Sequence, residues 1–248
     1  MKQNRRVRDF ARSTIYGNDG RLGTVRELYF DDHNWTVRYL LIKSGGWLMG
    51  REVHIATSAI ADIDDENASM RINLQRKQIE QSPTIDQANS ISRQYEETYY
   101  NHFQWHPYWQ PDTPEWGNPI HFLDDETMII NKPLLPEPLK QSHLRSSAEV
   151  IGYEMHAKDG AIGHLDDLVV HDDDWVIRYV QVDTRNRWTG KKLLVPTDRI
   201  HQIDWANRSV KVSLTRQAIE SAPAYDPSNL ITPNYEVELS NHYGKNPS

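Results

Sequence analysis

The chain has 248 residues, 38% of them apolar, with 35 acidic against 28 basic side chains and a net charge of −7. That length suits two domains of about 100 residues each with connectors, and the modest apolar share favours small cores with much polar surface. The lack of cysteine excludes disulfides, thiolate metal centres, iron–sulfur clusters and cysteine nucleophiles. The acidic balance argues against a nonspecific nucleic-acid binder, so nucleic acid is not expected as a partner.

Residues 1–12 carry Lys2, Arg5, Arg6, Arg8 and Arg12 with no apolar stretch behind them, which is not a signal peptide. Residues 1–9 are expected to be a frayed basic arm. The alternative is a weak electrostatic tether to an anionic lipid surface or an acidic partner. No run approaches the ~20 apolar residues of a membrane span; YLLI at 39–42 is among the longest.

From residue 10 onward the chain repeats itself. Residues 10–103 align without a gap on 150–243, with 27 identities in 94 pairs. Unrelated sequences of ordinary composition would give roughly six, so the segment is a duplication. The shared residues include Gly20 with Gly160, Gly23 with Gly163, and Trp35, Arg38 and Tyr39 with Trp175, Arg178 and Tyr179. Thr57 pairs with Thr197, Pro83 with Pro223 and Tyr95 with Tyr235. Most are turn formers and core-type apolars, the residues a common backbone demands.

Within a copy the pattern is strand-like. The Asp-Gly pairs at 19–20 and 159–160 are hairpin signals, because glycine accepts positive φ. DDHNW at 31–35 and HDDDW at 171–175 predict a second turn. Strands are predicted over 161–171, 175–183, 193–196, 200–204 and 210–214, giving five or six short antiparallel strands per copy and a small barrel or sandwich. After each barrel the period changes. Thr215 is an N-cap for a short helix ending before Pro223. A second helix is predicted over 93–103, where Tyr95, Tyr99 and Phe103 share a face. Its counterpart over 234–243 is less regular.

Residues 104–147 have no duplicate. They hold seven of the thirteen prolines and three of the eight tryptophans, which forbids long helices but is unlike a solvated tether. The reading is an ordered, extended connector whose aromatics pack on the barrels. The alternative is an interaction surface made of Trp105, Tyr108, Trp109, Trp116 and Phe122. The predicted organisation is therefore an arm (1–9), a first barrel with helical tail (10–103), the connector (104–147), a second barrel with tail (148–243) and a C-terminal end (244–248).

The motifs DG-x-(L/I)-G, W-x-(V/I)-R-Y-(L/V)-x-(I/V) and P-T-x-x-I resemble the PRC-barrel family, named after the cytoplasmic domain of the photosynthetic reaction centre H subunit. The second copy matches better, through Leu194-Val195-Pro196-Thr197-Asp198-Arg199-Ile200. The first copy has Ala56 in place of Pro196 and Gly45-Gly46 at a strand end, where the second has Arg185-Asn186. The resemblance implies a mainly β fold of two tandem barrels and a non-catalytic adaptor, since its motifs specify backbone rather than chemistry. Its relatives cap a membrane complex or serve ribosome maturation.

Candidate chemistry is sparse. His102 and His106 lie i, i+4 and could share a helix face as zinc ligands, but Pro107 follows and the second copy keeps only His242. The acidic turns Asp31-Asp32-His33 and Asp172-Asp173-Asp174 lack calcium-loop spacing and read as solvated hairpin turns. Trp35 and Trp175 read as packing residues with Arg38 and Arg178 able to stack. No catalytic residue, metal or cofactor is assigned. The expectation is a non-enzymatic scaffold of the bacterial cytoplasm with an unidentified protein partner. Its two copies would pack as an intramolecular pseudo-dimer, and a homodimer is a further option. The alternative is a peripheral, inner-membrane accessory subunit of an electron-transfer complex.

Overall fold

A computed structural model describes residues 3–83, 91–110, 142–184 and 191–244. Trp116 and Phe122 therefore lie outside the described residues. Two compact units are present, one formed by 1–80 with 143–248 and one by 81–142.

The first unit holds both sheets. Copy 1 opens with β1 (Asn4–Arg6) and the one-turn helix α1 (Val7–Phe10), followed by β2 (Thr14–Gly17), β3 (Gly20–Asp31), β4 (Thr36–Ser44), β5 (Glu52–Ala56), β6 (Ile60–Asp64) and β7 (Ser69–Ile72). The short helix α2 (Arg76–Glu80) ends the copy within this unit. Helix α3 (Arg93–Phe103) belongs to the second unit. Copy 2 repeats the series with β8 (Leu144–Ser146), α4 (Ser147–Val150), β9 (Glu154–Ala157), β10 (Gly160–His171), β11 (Ile177–Asp183), β12 (Lys192–Pro196), β13 (Ile200–Asp204), β14 (Ser209–Val212), α5 (Arg216–Glu220) and α6 (Pro233–Gly244). The fold is mainly β, with two separate seven-stranded sheets.

Each sheet runs in the order β5-β4-β3-β2-β7-β6 or its equivalent β12-β11-β10-β9-β14-β13. The antiparallel expectation holds for every pair but one in each copy: β2 lies parallel to β7, and β9 parallel to β14. Nor are all the strands short. β3 and β10 each have 12 residues and carry register shifts at matching places, Val25/Glu27 with Tyr29/Phe30 and Leu165/Asp167 with Val169/Val170. A bulge bends a strand and raises its local twist. The bent strand offers its first half to β2 and would leave the edge of its last three residues open.

That edge is closed by the other copy. Asn4, Arg5 and Arg6 of β1 pair with His171, Val170 and Val169 of β10, while Leu144, Arg145 and Ser146 of β8 pair with Asp31, Phe30 and Tyr29 of β3. Every partner is offset by 140 residues, so the exchange is reciprocal. A second pair of links obeys the same rule. Val37 N–H donates to the Trp175 carbonyl at 2.8 Å and Ile177 N–H to the Trp35 carbonyl at 2.7 Å, across a bridge between Thr36 and Val176. Unpaired strand edges invite foreign pairing, and here an internal exchange occupies them. The predicted frayed arm is thus a paired strand. A start of the copies at residues 10 and 150 cuts through a duplicated unit that begins at β1 and β8.

The repeated residues serve this backbone. Gly160 sits at φ +140°, accessible to glycine at little cost. A Cβ on Gly23 or Gly163 would lie 2.1 Å from the carbonyl oxygen of Lys43 or Asp183. The hydroxyls of Thr57 and Thr197 donate to the Val37 and Ile177 carbonyls at 3.1 and 2.9 Å. The carboxylates of Asp19 and Asp159 accept from the first amide of α2 and α5, Arg76 at 3.1 Å and Arg216 at 2.7 Å. Thr215 caps α5 as predicted, through Ala218 N–H. Both cores are small and apolar, from Ile15, Leu22, Val25, Leu28 and Phe30 in one to Met155, Ile162, Leu165, Leu168 and Val170 in the other.

Candidate functional site

Three places gather polar or aromatic chemistry. The first is the seam made by the exchanged strands. Arg5 reaches both Asp65 and Asp172, the latter through Nε at 2.7 Å. Arg8 pairs with Asp167, whose side chain is fully buried, and with Asp166 at 3.4 Å. Arg6 pairs with Asp9 at 2.6 Å. The arm, expected to be frayed and alternatively a lipid or partner tether, therefore directs three of its arginines to carboxylates of its own unit. Burial pushes the Asp167 carboxyl up, against the opposing pull of Arg8. Burial also opposes ionisation of Asp166, but Lys192 and Arg8 outweigh it and hold that carboxyl below its ordinary range. Beside the seam lies a cleft of about 370 Å³ lined by Arg5, Asp9, Phe10, Asp65 and the exposed Leu230.

The second place is the pair of acidic turns. They were expected to be solvated. His33, Asp173 and Asp174 are exposed, but Asp32 accepts from Arg145 Nε at 3.2 Å, and Asp172 from Arg5, because each exchanged strand carries one arginine to the turn it meets. Trp35 and Trp175 close these turns with positive φ, 57° and 58°. Trp175 is buried against Phe10 of the other copy at 5.4 Å between ring centroids, and Trp35 stacks on Phe30 at 5.5 Å. Arg178 pairs with Asp174, four residues earlier in the acidic turn.

The third place is the second unit. Helix α3 spans the predicted residues, and Tyr95, Tyr99 and Phe103 stack along one face as its period requires. Ser92 caps it by accepting from Tyr95 N–H at 3.2 Å. The chain then folds back. Trp105 stacks on Phe103 at 4.7 Å, Trp109 meets Tyr100 at 5.1 Å, and the Arg93 guanidinium lies 4.1 Å from the Trp109 ring centre. Tyr108 donates to the buried Glu96 at 2.7 Å, and Glu96 also pairs with Arg93 at 2.8 Å. Burial drives the Tyr108 hydroxyl strongly up, with the Glu96 charge adding to it. Of the candidate aromatic surface, Trp105, Tyr108 and Trp109 are thus brought together, with Trp109 only 5% exposed. They pack on each other and on α3. The i, i+4 spacing of His102 and His106 does not make a helical pair. α3 stops at Phe103, Gln104 turns left-handed, and Pro107 disfavours helix in the residue before it.

Two features were not read from the sequence. His143 joins Asp32 and His33 at the first acidic turn, although 110 residues separate it from His33 in the chain. His54 is buried among the Tyr29 and Tyr39 rings, at 5.1 and 6.1 Å. Burial lowers its pKa to about 4. The position it occupies is Leu194 in copy 2, a mismatch that marks an apolar site and hints at the burial.

Residues 2–78 match the family model of the PRC-barrel domain, and this stretch of the chain is a PRC-barrel domain. The match begins at the exchanged strand β1, so the segment belongs to the barrel and is not an appendage. The second sheet repeats the same strand order. No curated protein matches the chain. A PRC-barrel domain points to a non-catalytic interaction or accessory module. Among the described residues, no helix is long and apolar enough to cross a membrane.

Proposed function

We propose that the chain is a non-enzymatic adaptor of the cytoplasm that presents two related barrel faces to protein partners in one fixed arrangement. The observation that carries this reading is the reciprocal exchange of β1 and β8, which ties each sheet to the other through three backbone-paired residues. Two barrels locked in this way form a rigid bivalent surface, and a bivalent surface gains avidity only when both faces are held at the right separation. The repeated identities support the same reading, because those with a visible role, such as Asp19, Gly23, Thr57 and Tyr95 with their partners, serve the backbone. Three clefts among the described residues have similar modest volumes, about 340 to 370 Å³, and the polar residues lining them include Arg5, Asp65, Asp172 and Arg178, which are already ion-paired.

The membrane-complex alternative rested on the basic arm and the aromatic connector; the pairing of Arg5, Arg6 and Arg8 within their own unit weakens the part that rests on the arm, and residues 111–141 of the connector lie outside the described residues. The test is crosslinked capture from the native host with the intact chain and with an Arg5→Ala/Arg8→Ala variant. A partner retained by the intact chain and lost by a variant that keeps its strand circular dichroism supports the adaptor. Equal retention by both, or retention of no protein at all, overturns it.

A further inference from the structure

At the end of β3, the first acidic turn and the residue leading into β8 bring one carboxylate and two imidazoles together. One ligand atom from each of Asp32, His33 and His143 lies within 4.8 Å of the others. His143 Nδ1 is 3.6 Å from Asp32 Oδ1, and the two imidazole rings meet edge to face with centroids 4.1 Å apart. The backbone fixes these positions. Asp32 N–H donates to the His143 carbonyl at 3.0 Å, and His33 N–H donates to Asp31 Oδ1 at 2.9 Å. Arg145 occupies Asp32 Oδ2 and is itself held over the Trp205 ring at 4.7 Å, which leaves Oδ1 facing His143.

We infer that this corner binds one divalent transition-metal ion through Asp32, His33 and His143, with water completing the shell. Two imidazoles and a carboxylate suit zinc and its neighbours, while calcium and magnesium take oxygen shells. Metal–nitrogen bonds of about 2.0–2.1 Å put tetrahedral ligands roughly 3.3 Å apart. The donors need only small side-chain rotations to close, and His33 is exposed and free to make them. Arg145 serves as the outer partner that orients the carboxylate.

The second copy supplies an internal control. The same corner there keeps the aspartate and the arginine: Asp172 accepts from Arg5 Nε and from Gln3 N–H, both at 2.7 Å, and its own N–H donates to the Gln3 carbonyl at 3.1 Å. But Gln3 stands in place of His143 and Asp173 in place of His33. The scaffold occurs twice and the imidazoles once, so among the described residues one of the two corners forms such a site. Its ligands come from the turn after β3 and from the residue before β8, so the ion would also staple the exchanged strand in place.

The experiment is calorimetric titration of the tag-free, chelator-washed full chain with zinc chloride, with thermal unfolding in parallel. One ion per chain is expected, with a rise in Tm at saturating zinc. His33→Ala and His143→Ala should each weaken binding at least about ten-fold and abolish the Tm rise. His102→Ala should change neither. A Gln3→His/Asp173→His graft in the second corner should raise the stoichiometry from one to two. No binding by the wild-type chain, binding unchanged in the His33→Ala/His143→Ala double variant, or a graft that stays at one overturns the proposal.

Discussion

Where an exchanged strand meets the long bent strand, the two copies solve one problem with different side chains. In copy 2 the amide of Leu168 donates to the carboxylate of Asp167 at 2.9 Å, and Arg8 from the partner segment neutralises that buried charge. In copy 1 the equivalent amide, Leu28, donates to the hydroxyl of Ser147 at 3.2 Å, and Ser146 donates to Glu27. A buried amide beside a bulge must find an acceptor. Which acceptor it finds is open to drift, so one seam became ionic and the other hydroxylic. The requirement lies in the backbone; the residues that meet it do not have to be the same.

The largest effect should separate the paired glycines. Gly163 combines φ +141° with a Cβ clash against the Asp183 carbonyl, whereas Gly23 has only the clash, against Lys43. Gly163→Ala should cost about 4 kcal/mol in urea unfolding, and Gly23→Ala about 1 kcal/mol less. Equal costs would mean that the backbone angle contributes nothing.

Next comes acid. His54 is neutral in the fold with its pKa lowered to about 4, against about 6.5 in the unfolded chain. The unfolded state therefore binds the extra proton first. Stability is full above pH 6.5 and falls as pH drops from there toward 4, by ~3 kcal/mol at most. His54→Leu, which restores the residue of copy 2, should flatten that part of the pH–stability curve. An unchanged slope between pH 6.5 and 4 would place the acid sensitivity elsewhere.

The ionic seam should be more fragile than the hydroxylic one. Arg8→Ala strands the Asp167 carboxylate, and because Arg8 is partly exposed the loss should be about 2 kcal/mol. Ser146→Ala should lose about 1 kcal/mol. Denaturation at high salt should narrow the difference, since only the ion pair is screened. The smallest effects fall on the caps. Asp19→Ala and Asp159→Ala should each cost about 1 kcal/mol or less, with Asp159 the larger because its contact is shorter. These too are read by chemical denaturation.

Much of the fold was legible because its determinants are local. The Asp-Gly turns, the Thr215 cap, the Tyr95–Tyr99–Phe103 stripe and the gapless duplication are all read over a few residues or by direct alignment. The pairing of Tyr95 with Tyr235 and of Pro83 with Pro223 also has its reason. Tyr95 donates to the Pro83 carbonyl at 3.3 Å, and Tyr235 to the Pro223 carbonyl at 3.1 Å. The exchange was not legible. Residues 4–9 and 144–149 share one identity, Arg5 with Arg145, because backbone pairing places little demand on side chains. The arginines that looked like a free basic arm have partners as far as 167 residues away.

Sequence alone determined the copy number, the turns and five of the seven strands in each copy, and the absence of thiol chemistry, since periodicity, glycine placement and composition act over short distances or over the whole chain. Tertiary structure decided which edges the copies close for each other, which arginines lose their solvent and which histidines meet. Those outcomes depend on contacts between residues remote in the chain, and only the folded backbone brings them within reach.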